Sequence, residues 1–216
     1  RYNSQNRKFE TYNKDNSLLV RNNVNDICFD AGKNILWLGL NNFGLQTFDL
    51  KTKRISNNPL IISENTYYDI ERKDTIVYYA GIGESLKRIQ FIGKFKTELL
   101  ESAQTINKIL IGSDKNIWCG AWDNGLHQFN AKAQFIKTYF FDGSSNLKKS
   151  GDEIISLAEG EKQILWCGTK SSGVLFFDLN TKEFTKQIKF SEPLTSRINF
   201  IYRDNFNRMW LATEAG

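Results

Sequence analysis

Two short segments of the sequence carry side chains suited to binding a sugar. Trp122 is the only tryptophan that lies outside a recurring sequence position, and Asp123 follows it directly. The pair offers an aromatic plane for stacking and a polar acceptor for hydroxyl groups. Asn41, Asn42 and Phe43 combine the same two properties. These five residues are therefore candidate ligand contacts. The alternative is structural, with Trp122 covering a loop or packing between repeats.

The remaining reactive side chains indicate no catalytic centre and no metal site. His127 is the only histidine and is predicted to lie within a strand, so it is retained as a further ligand-binding candidate. Cys28, Cys119 and Cys167 form no CxxC motif and lie in apolar runs, which predicts small buried side chains. We predict no catalytic residue, no metal ligand and no cofactor in the chain.

Composition and charge are those of a globular protein with a mixed surface. The 216 residues include 29 basic and 24 acidic side chains, a net charge of +5, and no five like charges run together. Nucleic-acid binding would require a clustered basic stripe and a recognisable reading module, so we expect no nucleic-acid partner. No stretch of 18 apolar residues occurs, which predicts no direct membrane contact for this segment.

The elements that would position the candidate residues come from a repeat of about 43 residues. Each copy centres on an apolar block with a large aromatic anchor. The anchors are Trp37, Tyr79, Trp118, Trp166 and Trp210, separated by 42, 39, 48 and 44 residues. A strand with two apolar residues three apart precedes each anchor, and a glycine turn and another strand follow three of them.

This repeat unit predicts one blade of a β-propeller. It contains four short strands and shows no helical period. The second strand, for example Ile35–Leu38, is apolar on both sides, as stacking blades require. Gly44, Gly125 and Gly173 are expected to supply a positive φ in the turn that follows. We therefore predict an all-β propeller of about five repeats, forming a single domain or propeller fragment over residues 1–216.

The two ends of the chain suggest how the propeller closes. The segment from Tyr2 to Phe9 aligns with the segment from Phe177 to Phe184, which begins in a third strand. Residues 1–12 could therefore complete the blade begun by residues 198–216 and close a ring. The competing hypothesis is an open fragment of a longer propeller, whose unpaired edges would invite another chain.

The repeat resembles that of the two-component regulator propeller family, most closely at Trp166–Thr169 and Gly173–Asp178. The resemblance covers the whole chain. It implies the periplasmic sensor region of a Bacteroidetes-type hybrid two-component protein, whose membrane span, histidine kinase and response regulator lie elsewhere in the parent. Many family members respond to oligosaccharides and signal as dimers. The resemblance thus implies an oligosaccharide ligand, a homodimeric parent and no enzymatic activity in this segment.

Two other functions also fit an all-β propeller. A propeller glycoside hydrolase would need two carboxylates across a glycosidic bond, or an arginine cluster with a tyrosine nucleophile. The segment nearest to a sialidase box, Ser113–Trp118, has Ser and Asp adjacent and lacks the glycine. A protein-interaction propeller of the WD type would show Gly-His and Trp-Asp signals, whereas Leu or Cys follows the anchor tryptophans. Both functions are kept as alternatives to a sensor.

Overall fold

The chain folds into antiparallel sheets that stack as the blades of a β-propeller. The computed structural model describes residues 2–4, 6–56, 66–82, 84–92, 94–99, 105–122, 125–141, 153–188 and 197–214. These residues form four complete four-stranded blades and two separate hairpins of two strands. Each blade is a meander in which successive strands pair with one another. The predicted all-β propeller of four-stranded blades is confirmed.

The strands follow the repeat along the chain. In chain order they are β1 (Tyr2–Asn3) and β2 (Lys8–Phe9) in the N-terminal hairpin; β3 (Val24–Asp30), β4 (Ile35–Leu40), β5 (Gly44–Asp49) and β6 (Arg54–Ile55) in blade 1; β7 (Tyr67–Lys73), β8 (Ile76–Gly81), β9 (Glu84–Ile92) and β10 (Lys94–Leu99) in blade 2; β11 (Ile106–Ile111), β12 (Ile117–Ala121), β13 (Leu126–Phe129) and β14 (Phe135–Tyr139) in blade 3; β15 (Ile154–Glu159), β16 (Ile164–Thr169), β17 (Val174–Asp178) and β18 (Glu183–Ile188) in blade 4; and β19 (Ile198–Arg203) and β20 (Met209–Thr213) in the C-terminal hairpin. A 3₁₀ turn, Glu161–Gln163, precedes β16. None of the described elements is a helix with the length and apolarity needed to cross a membrane.

The second strand of each complete blade packs on both of its faces, in blade 1 against blade 2 on one face and against the preceding segment of chain on the other. Every residue of β12 is buried, and in β8 only Ile76 is partly exposed. Such strands lack the alternation of a half-exposed strand because both of their faces meet apolar side chains. The core therefore consists of a series of interfaces between blades.

The repeat anchors face the following blade, and the structure corrects one of them. Trp37 lies in a core cluster with Ile70 of blade 2. In blade 2 the predicted anchor was Tyr79, but Tyr79 shares that same cluster, whereas Tyr78 lies in a cluster with Ile109 of blade 3. Successive side chains of a strand point to opposite faces, so the prediction was wrong by one residue. Tyr78 is the equivalent of the anchor tryptophans.

Hydrogen bonds from backbone N–H groups to aspartate side chains join the first strands of blades 1 to 3. The N–H of Ile70 donates to Asp26 Oδ2 at 2.7 Å, and the N–H of Ile109 donates to Asp69 Oδ2 at 2.6 Å. Lys108 places its Nζ 2.5 Å from Asp69 Oδ1. This ion pair compensates the buried carboxylate, which would be costly without a partner. Each acidic side chain thus ties its blade to the next one.

The two ends of the described chain do not share a sheet. β1 pairs with β2 and β19 with β20, and neither hairpin extends the other. Ring closure by shared strands is therefore not confirmed. The segment after the N-terminal hairpin packs on blade 1, where the rings of Tyr12 and Phe48 have centroids 4.8 Å apart. Trp210, the last anchor, is 55% exposed, since no blade among the described residues covers it.

Candidate ligand-binding face

Four of the predicted ligand contacts, Trp122, Asn41, Asn42 and Phe43, lie in turns at one end of the propeller. The turn between the second and third strands of each blade lies there. The first residues of each blade's first strand, which we call its inner strand, lie there as well. We call this surface the turn face. Its described parts are residues 41–43, 82, 122 and 170–172 from the turns, and residues 24–25, 66–68, 105–107, 153–155 and 197–199 from the strand starts. Turns between first and second strands lie at the opposite end, because adjacent strands are antiparallel.

Glycines set the shape of the turns on this face. Gly44, Gly125 and Gly173 have φ angles of 91°, 73° and 74°, which confirms the positive φ predicted for them. A Cβ atom on Gly125 would also lie 2.3 Å from the carbonyl oxygen of Tyr139. A side chain at this position would therefore displace the neighbouring strand, and with it the turn that carries Trp122.

Trp122 lies on the turn face beside Tyr68 of blade 2. The two ring centroids are 6.4 Å apart, and the ring planes are inclined by 43°. The backbone N–H of Trp122 donates to the carbonyl oxygen of Thr105 at 3.0 Å, which holds the turn against the start of β11. Trp122 remains 37% exposed. The two rings therefore form an aromatic patch that bridges blades 2 and 3 and is partly open to solvent.

Tyr68 was missed in the sequence because it occupies a position of the repeat. It is the second residue of its inner strand, a position held by Asn25, Asn107 and Asn199 in other copies. An aromatic side chain where other copies have asparagine was the signal that could have revealed it. Burial and the nearby Glu153 carboxylate raise the pKa of the Tyr68 hydroxyl. The hydroxyl therefore stays protonated and can donate a hydrogen bond.

A charged pair extends the turn face into blade 4. The Nζ atom of Lys170 lies 2.8 Å from Oε1 of Glu153, and its backbone N–H donates to the Glu153 carbonyl oxygen at 3.0 Å. The Lys170 side chain is still 49% exposed. The pair places a cation and a carboxylate on the same side of the propeller as the aromatic patch.

Asn41 and Asn42 lie on the turn face in blade 1. The hydroxyl oxygen of Thr66 lies 2.7 Å from Oδ1 of both, which links this turn to the start of β7. Phe43 is half-buried against the apolar cluster of blade 1. The guanidinium Cζ of Arg21 lies over it, 5.7 Å from the ring centroid. Phe43 thus supports a cation, while the two asparagines present amides beside it.

His127 is buried within blade 3 and is not exposed on the turn face. It is 2% exposed, and its Nδ1 lies 3.1 Å from the hydroxyl oxygen of Thr138. Its Nε2 has no hydrogen-bond partner in the described part of the chain. Burial lowers the pKa of His127 from 6.5 to about 4, so the ring is neutral at physiological pH. Its part in ligand binding stays a prediction, as does that of Asp123, which lies outside the described residues.

Burial is confirmed for Cys119 and Cys167, whereas Cys28 is only partly buried. Cys119 and Cys167 are fully buried at equivalent positions of β12 and β16, and all three thiols are free. Burial raises the pKa of the Cys119 and Cys167 thiols, so they stay protonated and act as small apolar side chains. Within the described residues, no three side chains of the types that bind metal come together.

Solved structures of bacterial proteins share this propeller fold. They include the extracellular domain of the putative hybrid two-component system BT3049 from B. thetaiotaomicron, with a TM-score of 0.73 and 21% identity over 98% of this chain and 29% of that chain. The extracellular domain of BT4673 from the same organism has a TM-score of 0.68 and 24% identity over 89% of this chain and 26% of that chain. PorZ, a surface component of the type-IX secretion system of Porphyromonas gingivalis, has a TM-score of 0.70 and 12% identity over 95% of this chain and 33% of that chain.

These comparisons establish the fold. The chain spans at most about a third of each of the three solved chains. No protein-family model and no curated protein matches the sequence. The shared class is therefore a β-propeller of four-stranded blades, here with an open patch of aromatic and amide side chains at one end.

Proposed function

We propose that this chain is the ligand-recognition propeller of an extracytoplasmic sensor in a hybrid two-component signalling protein, and that its ligand is an oligosaccharide. The observation that carries the proposal is the pairing of the exposed Trp122 with the partly buried Tyr68, at 6.4 Å between ring centroids, on the turn face. The likeness to two extracellular domains of hybrid two-component systems supports the sensor role.

The chemistry of the turn face suits a sugar. Pyranose rings present apolar C–H faces that stack on aromatic planes and hydroxyl edges that exchange hydrogen bonds with amides. Trp122 and Tyr68 supply the planes, and Asn41, Asn42 and the Tyr68 hydroxyl supply polar partners. A ligand on this face would contact side chains from several blades at once. Its binding energy could then change the relative positions of blades, which is what a sensor domain requires.

The proposal assigns no catalysis to this segment. Kinase activity would reside elsewhere in the parent protein, with the propeller in the periplasm and the parent acting as a homodimer. In this scheme the chain contributes ligand specificity and transmits a conformational signal.

The proposal is tested by titrating the purified chain with neutral oligosaccharides derived from arabinan, galactan, xylan and mannan, using calorimetry. We expect one class to bind and Trp122→Ala to weaken that binding by about tenfold or more, which corresponds to about 1.4 kcal/mol. Phe206→Ala is the matched control, because Phe206 is 79% exposed at the opposite end of the propeller. An equal loss of affinity in both variants would contradict a binding face at Trp122, and cleavage of the oligosaccharide would contradict a sensor without catalysis.

A further inference from the structure

A cleft of about 370 Å³ opens on the turn face at blade 1, next to the amides described above. Its lining combines two cationic side chains with four asparagines, and no acidic side chain among the described residues lines it. The lining residues are Lys14, Arg21, Asn22, Asn23, Asn41 and Asn42. Such a lining favours a ligand that carries both negative charge and hydroxyl groups.

The loop that forms one wall of the cleft is held in shape by its own side chains. The N–H groups of Asp15 and Asn16 donate to Asn13 Oδ1 at 2.9 and 3.0 Å. The N–H of Lys14 donates to Asn22 Oδ1 at 2.9 Å, which closes the loop on itself. Bonds of this kind order a loop before any ligand arrives and so reduce the entropy lost on binding.

Gln46 fastens the same loop to blade 1. Its side chain is fully buried, with Oε1 accepting from the N–H of Val20 at 3.1 Å and Nε2 donating to the carbonyl oxygen of Leu18 at 3.0 Å. The opposite wall is the turn of blade 1 that contains Asn41. It is joined to the loop by a hydrogen bond from the N–H of Asn41 to the carbonyl oxygen of Asn23, at 3.1 Å. Both walls of the cleft are therefore positioned by the sheet beneath them.

The two cations of the cleft are available to a ligand. The Cζ of Arg21 lies 5.7 Å from the ring centroid of Phe43, and a cation–π contact of this kind does not use the N–H donors of a guanidinium. Lys14 lies 3.0 Å from Asp15, but both side chains are more than half exposed, at 57% and 70%. Such exposed pairs are weak, so Lys14 can exchange this partner for a ligand anion.

We propose that this cleft binds the acidic group of an anionic oligosaccharide, a carboxylate or a sulfate, with Arg21 and Lys14 as its charge partners. The inference rests on the proposed function and specifies its ligand class. Thr66 contacts Asn41 and Asn42 and lies two residues before Tyr68, so the cleft and the aromatic patch lie on one face of the propeller, on neighbouring blades. The aromatic patch would stack the sugar ring, and the cleft would select for charge.

The test compares a galacturonan tetramer with its fully methyl-esterified form, which keeps the same sugar backbone without the charges. A sulfated galactan tetramer and its desulfated form test sulfate in the same way. We expect the wild-type chain to bind one acidic probe at least about tenfold more tightly than its neutral partner, with an affinity that falls as salt is raised. In the double variant Lys14→Gln, Arg21→Gln this preference should disappear, whereas Lys132→Gln, on a turn at the opposite end, should retain it.

Each outcome separates the two proposals. If acidic and neutral forms bind equally and the double variant changes neither, the acidic subsite is wrong while oligosaccharide binding stands. If no oligosaccharide of either kind binds the folded chain, the proposed function fails and the subsite fails with it. Thermal unfolding of each variant confirms that a lost preference reflects the cleft and not a loss of the fold.

Discussion

Trp118 and Trp122 lie in the same blade, yet they belong to two different regions of the molecule. Trp118 is fully buried between blades 3 and 4, with its ring centroid 5.2 Å from that of Phe177. Trp122 is 37% exposed on the turn face. The first side chain recurs in the repeat and holds blades together. The second has no counterpart in the other copies, and the proposed function depends on it.

This contrast separates stability from recognition. A position that recurs in every blade must satisfy the packing of one blade on the next, because each repeat cannot bury its apolar face alone. A position that departs from the repeat in a turn does not carry that constraint. Substitutions in the two regions should therefore affect different measurements.

The largest expected effect is the loss of an interface anchor. In Trp118→Ala the buried ring disappears together with the hydrogen bond from Nε1 to Asp114 Oδ1 at 3.2 Å. We expect the free energy of unfolding to fall by about 3–5 kcal/mol, the usual cost of truncating a buried tryptophan. Urea denaturation followed by circular dichroism measures it. A loss below about 1 kcal/mol would show that the blade interfaces are not the source of stability.

The next effect concerns the pH dependence of stability at His127. The unfolded chain protonates this ring below pH 6.5, but burial holds the folded pKa near 4. The contribution of His127 to the free energy of unfolding is therefore fully present above pH 6.5. It falls by about 3 kcal/mol in total as the pH is lowered from 6.5 to 4. His127→Gln should remove that part of the acid destabilisation, and glutamine suits the site because Gln46 is its counterpart in blade 1. The urea midpoint is measured at pH 7 and pH 4 for the wild type and for His127→Gln. If the midpoint falls by the same amount in both proteins, the prediction is contradicted.

A smaller effect is expected for the anchor at the C-terminal hairpin. Trp210 occupies the same repeat position as Trp118 but is 55% exposed, with Nε1 donating to Asp204 Oδ2 at 2.8 Å. Trp210→Ala should cost about 1 kcal/mol or less, because more than half of its surface remains in water. The measurement is the same urea titration. A cost equal to that of Trp118→Ala would mean that another surface buries Trp210 in solution.

A change in stability comparable to that of Trp210→Ala is expected at the turn face. Trp122→Ala should lower the free energy of unfolding by about 1 kcal/mol, well below Trp118→Ala, because the ring is 37% exposed and packs beside Tyr68. Its effect should fall chiefly on oligosaccharide affinity. If the variant unfolds as readily as Trp118→Ala, Trp122 is a structural residue and the contrast between the two regions fails.

Much of the fold was predictable because the same packing requirement recurs at equivalent positions in each copy of the repeat. The strands, the positive φ of the turn glycines and the burial of Cys119 and Cys167 all followed from equivalent positions. The register of blade 2 was mispredicted because Tyr78 and Tyr79 are both aromatic, and the pairing of strands shows which face each one takes. The spacing of seven residues from Tyr78 to Ser85, equal to that from Trp37 to Gly44, would have selected Tyr78.

The candidate site was less predictable because it depends on contacts between distant segments. Trp122 and the asparagines of blade 1 stood out as departures from the repeat. Tyr68 joins Trp122 only when blades 2 and 3 pack together. The cleft requires the loop containing Lys14 and Arg21 to fold back on the turn of blade 1. A repeat pattern predicts which strands pair within a blade. It does not predict contacts between side chains of different blades or between a loop and a blade.

The most direct test of the binding face uses the indole N–H signals of the five tryptophans in a ¹⁵N-labelled sample. The Trp122 signal is assigned with the variant Trp122→Phe, and the chain is titrated with the galacturonan tetramer, its methyl ester and the neutral oligosaccharides. We predict that the Trp122 indole shifts on binding, while those of Trp37, Trp118, Trp166 and Trp210 stay in place. Saturable binding that moves the Trp210 signal and leaves Trp122 unchanged would contradict a recognition site on the turn face.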